Sequence, residues 1–244
     1  MARNHFFQGS EIDSSLMGRQ AEERTKVYVL LSTFYLKKPG GDFVEKLQHG
    51  DFLGHLQSIT SQIDGELAEA LKVMERFIKS SKGMPQEELA EDLAVDFTRL
   101  FRGIKPGYGP SPPYESIYKG EGRIVGESTL EVMKMYDQSN VAMTEECAGP
   151  PDYIGTELKF LAMLCYKESE AWRTNHPDHA LEFLRTELIF LDKHVCRWVP
   201  KFCRLMKKEA RSNFYKGIAG LTNGFLTLDR EQIHATLEGF ERRN

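Results

Sequence analysis

His176, Asp178 and His179 are side chains of the kind that ligate transition metals, grouped within four positions. Their setting argues for a plainer role. They follow Asn175 at a helix start, where Pro177 and Asp178 are ordinary first-turn residues, so no metal is expected there. Cys196 and Cys203 lie on one helical face and read as small buried hydrophobes. With Cys147 and Cys165 they form no CxxC pair, and they are too dispersed for a disulfide framework, which points to a reducing, cytoplasmic setting. The sequence lacks a GxxxxGK[ST] phosphate loop, a GxGxxG turn after a strand, an HExxH helix and a GxSxG elbow. An enzyme is therefore not the expectation.

Three other segments combine polar groups with aromatics. Asp96-Phe97-Thr98-Arg99-Leu100-Phe101 closes an amphipathic stretch with clustered aromatics. Pro110-Ser111-Pro112-Pro113-Tyr114-Glu115-Ser116-Ile117-Tyr118 is a stiff loop with two tyrosines four apart. Pro150-Pro151-Asp152-Tyr153-Ile154-Gly155-Thr156-Glu157 opens a helix, with Asp152 complementing its dipole. Taken singly, each reads as core stripe, packed loop or helix start.

The elements that must position these groups are helical. Val27, Leu30, Leu31 and Phe34 recur at helical spacing, as do Leu67, Leu71, Met74 and Ile78. Pro85 and the acids after it start a helix whose face carries Leu89, Leu93, Phe97, Leu100 and Phe101 and which stops near Gly103. Leu181, Leu184, Leu188, Leu191 and Val195 form a further stripe, with Phe183, Ile189 and Phe190 on a second apolar side; Phe214, Ile218, Leu221, Phe225 and Leu228 form the last. The segment from Gly103 to Gly126, with Pro106, Pro110, Pro112, Pro113 and repeated glycines, breaks helix and strand alike and reads as an ordered loop or hinge. A second break runs from Ser139 to Pro151. Residues 1–18 lack helical periodicity and the charge and apolar pattern of a secretory signal, and read as a disordered leader. Residues 19–244 then form one all-α domain, a bundle of nine or ten helices.

Hydrophobic residues at 41% and charged residues at 28% are globular proportions, enough to bury a core. No uninterrupted apolar run reaches the roughly 18 residues of a bilayer span. The net charge of −4 removes the long-range attraction to phosphate backbones, so nucleic acid is not an expected partner. Lys207 and Lys208, with Arg204 and Arg211, read as a solvated helix face.

In their order, the three segments, with Trp198-Val199-Pro200-Lys201-Phe202 and Phe214-Tyr215 after them, resemble the TorD/DmsD family of molybdoenzyme maturation chaperones. The fingerprint is an LF helix end, a P-x-P-P-aromatic-x-S-x-aromatic loop, and a P-x-D-H-hydrophobic helix start followed by E-L-x-F-L. The resemblance spans about residues 24–226. It implies an all-helical chaperone, without a cofactor of its own, that binds the twin-arginine leader of a molybdoenzyme catalytic subunit precursor and delays export until the cofactor is in place. It also implies a monomer or a domain-swapped dimer, with the segment after Gly103 as the hinge.

For the signal-peptide site, the resemblance marks Phe97, Leu100, Phe101, Pro113, Tyr114, Tyr118 and Asp152, with Tyr153 beside them. Two positions depart from the family. Tyr153 stands where the family usually has histidine, and Gly149 where many members have glutamate, an acid that Glu145 or Glu146 would have to supply. A site of this kind needs carboxylates for two guanidinium groups and an apolar groove beside them. Asp152 is expected to face the groove and Glu157, more than a turn later, to face elsewhere. Two rivals remain open at this level: a small helical nucleotide-binding or hydrolytic protein using Asp152, Glu157 or His176, and a helical adaptor with no signal-peptide role.

Overall fold

A computed structural model describes residues 13–49, 65–103, 107–122, 124–141 and 149–242, which fold as helices with no strand among them. The helices are α1 (Ser14–Leu36), α2 (Gly41–His49), α3 (Glu66–Ser81), α4 (Gln86–Phe101), α5 (Glu115–Tyr118), α6 (Glu127–Gln138), α7 (Ile154–Arg173), α8 (Pro177–Phe190), α9 (Cys196–Glu209) and α10 (Asn213–Glu241). This is the all-α architecture that the periodicity predicts. Glu145, Glu146 and Cys147 lie outside the described residues.

α1 begins inside the stretch read as a leader. Asp13 caps it, its carboxylate accepting the Leu16 N–H at 2.9 Å, and Met17 and Gly18 are already buried. The helix runs along α7, where a Cβ added at Gly18 would come within 3.3 Å of the Trp172 Cβ. Gly220 and Gly224 of α10 let α3 approach closely, since a Cβ at Gly224 would stand 2.9 Å from that of Leu67.

The stripes bury as expected on α1, α3, α4 and α10, and their aromatics meet edge to face: Tyr35 lies 5.3 Å from Phe101, and Phe34 5.6 Å from Phe214. Phe190 is fully buried, whereas Ile189 is 44% exposed, so the second apolar side of α8 is only partly covered. Asp96 fixes the end of α4 to the α9–α10 turn. One oxygen pairs with Arg99 at 2.9 Å and the other accepts the N–H groups of Arg211 and Ser212 at 3.0 and 2.9 Å.

α8 and α9 form one continuous rod joined by a single π-turn, Leu191–Val195. The wider turn shifts the side-chain register, and Leu191, His194 and Val195 all face inward. Pro200 sits just beyond it, within α9.

Candidate functional site

The proline-rich loop is not structureless: Glu115–Tyr118 forms one helical turn within it. Its position is set by the start of α7. Pro113 O accepts the Ile154 N–H at 3.0 Å, Asp152 O accepts the Glu115 N–H at 2.9 Å, and Tyr114 and Tyr153 form an isolated antiparallel bridge. The Asp152 side chain completes the clip, with Oδ2 accepting the Ser116 N–H at 3.0 Å. Further back, a Cβ at Gly109 would collide with the Arg99 carbonyl oxygen, so the loop approaches α4 more closely than any side chain would permit.

Beneath the clip lies a buried cluster of acids. Glu115 is fully buried between Lys119, 2.6 Å away, and His194, whose Nδ1 is 3.0 and 3.1 Å from the two carboxylate oxygens. Glu157 enters the same cluster from α7, and its Oε2 accepts the Trp198 indole N–H at 3.1 Å. Burial, reinforced by Glu115 and Asp152 nearby, pushes the Glu157 carboxyl well above the usual carboxylate range and favours its protonated form. Asp152 Oδ1 and Glu157 Oε1, both buried, have no hydrogen-bond partner among the described residues. A buried acceptor left unpaired, as Asp152 Oδ1 is, costs about 1–3 kcal/mol and is uncommon away from sites with a purpose, whereas the protonated Glu157 carboxyl has Glu115 within hydrogen-bonding reach.

Aromatic rings border the cluster on its outer side. The half-buried Tyr118 lies 5.4 Å from Trp198 and 5.7 Å from Phe202, and its hydroxyl donates to Ser111 O at 3.0 Å. Lys201 Nζ stands 6.0 Å from the centre of the same ring. Among the described residues no three His, Cys, Asp or Glu side chains are grouped to hold a metal ion.

The residues marked by the sequence fall into two sets. Pro113, Tyr114, Tyr118, Asp152 and Tyr153 come together at the clip. Phe97, Leu100 and Phe101 lie behind it in the core, at most 1% exposed, with the Phe101 ring against Phe97, Tyr35, Phe202 and Tyr215. They support the wall without forming its surface. Tyr153 is 8% exposed and its hydroxyl donates to the Tyr35 carbonyl at 2.6 Å, satisfying an end of α1. Glu157 does not face elsewhere; it shares the cluster with Asp152. Sequence reasoning missed Glu115, Lys119, His194 and Trp198 as members. Glu115 lies inside a marked loop and Lys119 one residue past it, but His194 is 79 residues from Glu115 and depends on the π-turn for its direction.

Comparison with known proteins agrees with this architecture. The profile of the nitrate reductase delta subunit family matches residues 60–204, a span holding the proline-rich loop, the start of α7 and the π-turn. The chain is 25% identical over 215 residues to the chaperone protein TorD of Vibrio parahaemolyticus, covering 85% of this chain and 93% of that protein. It is also 25% identical over 209 residues to TorD of Photobacterium profundum, with 85% and 93% covered, and 21% identical over 222 residues to TorD of Vibrio cholerae strain M66-2, with 89% and 94% covered. Matched across more than half its length, the chain belongs to the nitrate reductase delta subunit family, that of the TorD and DmsD chaperones.

Proposed function

We propose that this chain is a cytoplasmic, non-catalytic chaperone for a molybdenum-containing oxidoreductase. It binds the twin-arginine signal peptide of the catalytic subunit precursor at the Glu115, Asp152 and Glu157 cluster, and assists cofactor insertion and assembly before export. The observation that carries this reading is the buried carboxyl cluster where the loop meets α7, in which Asp152 Oδ1 has no donor among the described residues and burial holds Glu157 protonated beside Glu115. A guanidinium group presents five N–H donors in a planar fork suited to carboxylates, and two in succession suit Asp152 and a Glu157 that gives up its proton on binding. Because the cluster is enclosed, the leader gains access when the 110–118 segment lifts from α7. That motion frees Tyr114 and Tyr118 to line the apolar part of the leader, while Phe97, Leu100 and Phe101 keep the underlying wall in place. None of these steps needs a bond-breaking group. No helix among the described residues is long and apolar enough to cross a membrane.

Affinity capture from the native cytoplasm tests the proposal. Wild-type protein should recover a molybdoenzyme precursor with its twin-arginine leader, and Asp152→Asn should recover much less. Recovery of no such precursor, or equal recovery by both proteins, would contradict it.

A further inference from the structure

The outer face of α9 carries a row of cations that its surroundings leave unneutralised. Arg197, Lys201, Arg204 and Lys208 are all exposed and follow one another at spacings of four, three and four. At 3.6 residues per turn they fall within an arc of about 60°. Lys207, next in sequence to Lys208, turns away to Glu66 of α3 at 3.6 Å. None of the four pairs with a carboxylate among the described residues. Arg197 Nε donates to the Asp192 carbonyl at 2.8 Å, and Lys201 Nζ stands 6.0 Å from the centre of the Tyr118 ring.

Cations elsewhere in the chain are answered by acids. In the interior, Arg24 of α1 meets Glu168 of α7 at 2.7 Å, Asp229 of α10 at 2.5 Å, and Glu187 of α8. On the surface, Lys26, Lys72, Lys79 and Arg173 each pair with an acid three or four residues away on the same helix. The acids that border α9 are engaged with other groups: Glu66 with Lys207 and Asn223, Asp192 with Arg230, and Glu209 nearest to Arg99. Neighbouring charges of the row are about 4.5–6 Å apart along the helix axis, less than the roughly 10 Å screening length at 0.1 M salt, so their potentials add.

We propose that the outer face of α9 is a docking surface for an acidic segment of a partner protein, one whose carboxylates repeat every three or four residues along a helical face. Charge complementarity selects that occupant, through charge-assisted hydrogen bonds from the guanidinium and ammonium groups. The row is one helix wide and bordered by Glu66, Asp192 and Glu209, which suits a single chain and repels a broad anionic plane such as a bilayer surface. α9 has no apolar face to insert into lipid either, since Trp198, Phe202 and Met206 are buried. The net charge of −4 gives no long-range pull on nucleic acid. Lys201, against Tyr118, brings the row to the border of the Asp152 cluster, and its positive charge disfavours the arginines of a leader there. The acidic segment is therefore a stretch other than the leader, and its docking does not depend on the leader site.

The test uses the full chain and two labelled, alanine-rich peptides, one with glutamates at spacings of four, three and four and the other with glutamine in their place. Fluorescence anisotropy at low salt should show at least about tenfold tighter binding of the glutamate peptide. Raising the salt to about 1 M, where the screening length is about 3 Å, should erase the preference. A triple variant, Arg197→Gln with Arg204→Gln and Lys208→Gln, changes exposed positions only and should abolish it. Lys26→Gln with Lys72→Gln and Lys79→Gln removes as much positive charge elsewhere and should leave it intact, as should Asp152→Asn, which disables the proposed leader site. Equal binding of the two peptides, no binding of either, a preference that survives in the triple variant, or one lost in either control would each overturn the proposal. Binding to phosphatidylserine vesicles or to a DNA duplex that the triple variant loses, with no binding to the glutamate peptide, would assign the row to another partner and overturn it as well.

Discussion

Asp152 Oδ2 accepts the backbone N–H of Ser116 at 3.0 Å, so a carboxylate at the start of α7 holds the turn formed by the proline-rich loop while its other oxygen has no partner among the described residues. The bond gives Asp152 a structural task that is separable from recognition. Asp152→Ala strands the Ser116 N–H and should cost about 1–3 kcal/mol in urea unfolding. Asp152→Asn, whose amide oxygen can accept the same bond, should recover most of that loss. Equal destabilisation by the two substitutions would show that the Ser116 bond is not what Asp152 contributes.

Glu157 should make leader binding depend on pH. Its carboxyl is held well above the usual range by burial, with Glu115 and Asp152 adding to the effect, while Lys119 and the His194 ring both contact Glu115. A bound guanidinium favours the ionised form, so binding releases a proton and affinity rises with pH. Titrations at pH 6 and pH 9 should show tighter binding at the higher pH for wild type and a flatter profile for Glu157→Gln. Matching profiles would remove Glu157 from the site. Tyr153, its hydroxyl pushed up by burial, adds nothing to this dependence.

Glu187 should shape the pH dependence of stability. Its carboxyl rises from 4.5 to about 8 on folding, so between those values the folded chain holds a proton that the unfolded chain releases. Stability is therefore greatest below about pH 4.5 as far as this group is concerned, and falls as pH rises towards 8. Glu168, also raised, adds a decline in the same direction. The melting temperature should drop less between pH 5 and pH 8 in Glu187→Gln than in wild type, by differential scanning fluorimetry. An unchanged slope would contradict the assignment.

Tyr153→Phe removes the hydroxyl bond to the Tyr35 carbonyl but keeps the ring against Tyr114, 5.3 Å away. It should lower stability by about 0.5–1.5 kcal/mol and leave leader affinity within about twofold. A tenfold loss of affinity without loss of stability would place the hydroxyl in contact with the leader.

The fold was legible because long apolar stripes declare themselves locally: Val27, Leu31 and Phe34, or Phe214, Ile218 and Leu221, specify buried faces without knowledge of their partners. The start of α1 was not, since it rests on the Asp13 cap and a tight seat for Gly18 rather than on an apolar run. Asp152 was legible at the head of its helix. The company it keeps was not, because Glu115 and His194 meet across the chain and no local pattern encodes that pairing. Arg24, Glu168, Glu187 and Asp229 left a trace that sequence reading can use: each lies on the buried side of its helix, as Glu168 does between Cys165 and Trp172. A charge in that position implies a buried partner, but not which one.

Calorimetric titration of a twin-arginine leader peptide, at fixed salt, against wild type and folded Asp152→Asn tests the central claim most directly. The account predicts that Asp152→Asn weakens binding by about ten- to hundredfold, the loss of one charge-assisted hydrogen bond, and that a twin-lysine leader binds wild type more weakly than the arginine form. Unchanged affinity in Asp152→Asn, with the thermal stability of wild type retained, would contradict the claim that leader arginines are read at this cluster.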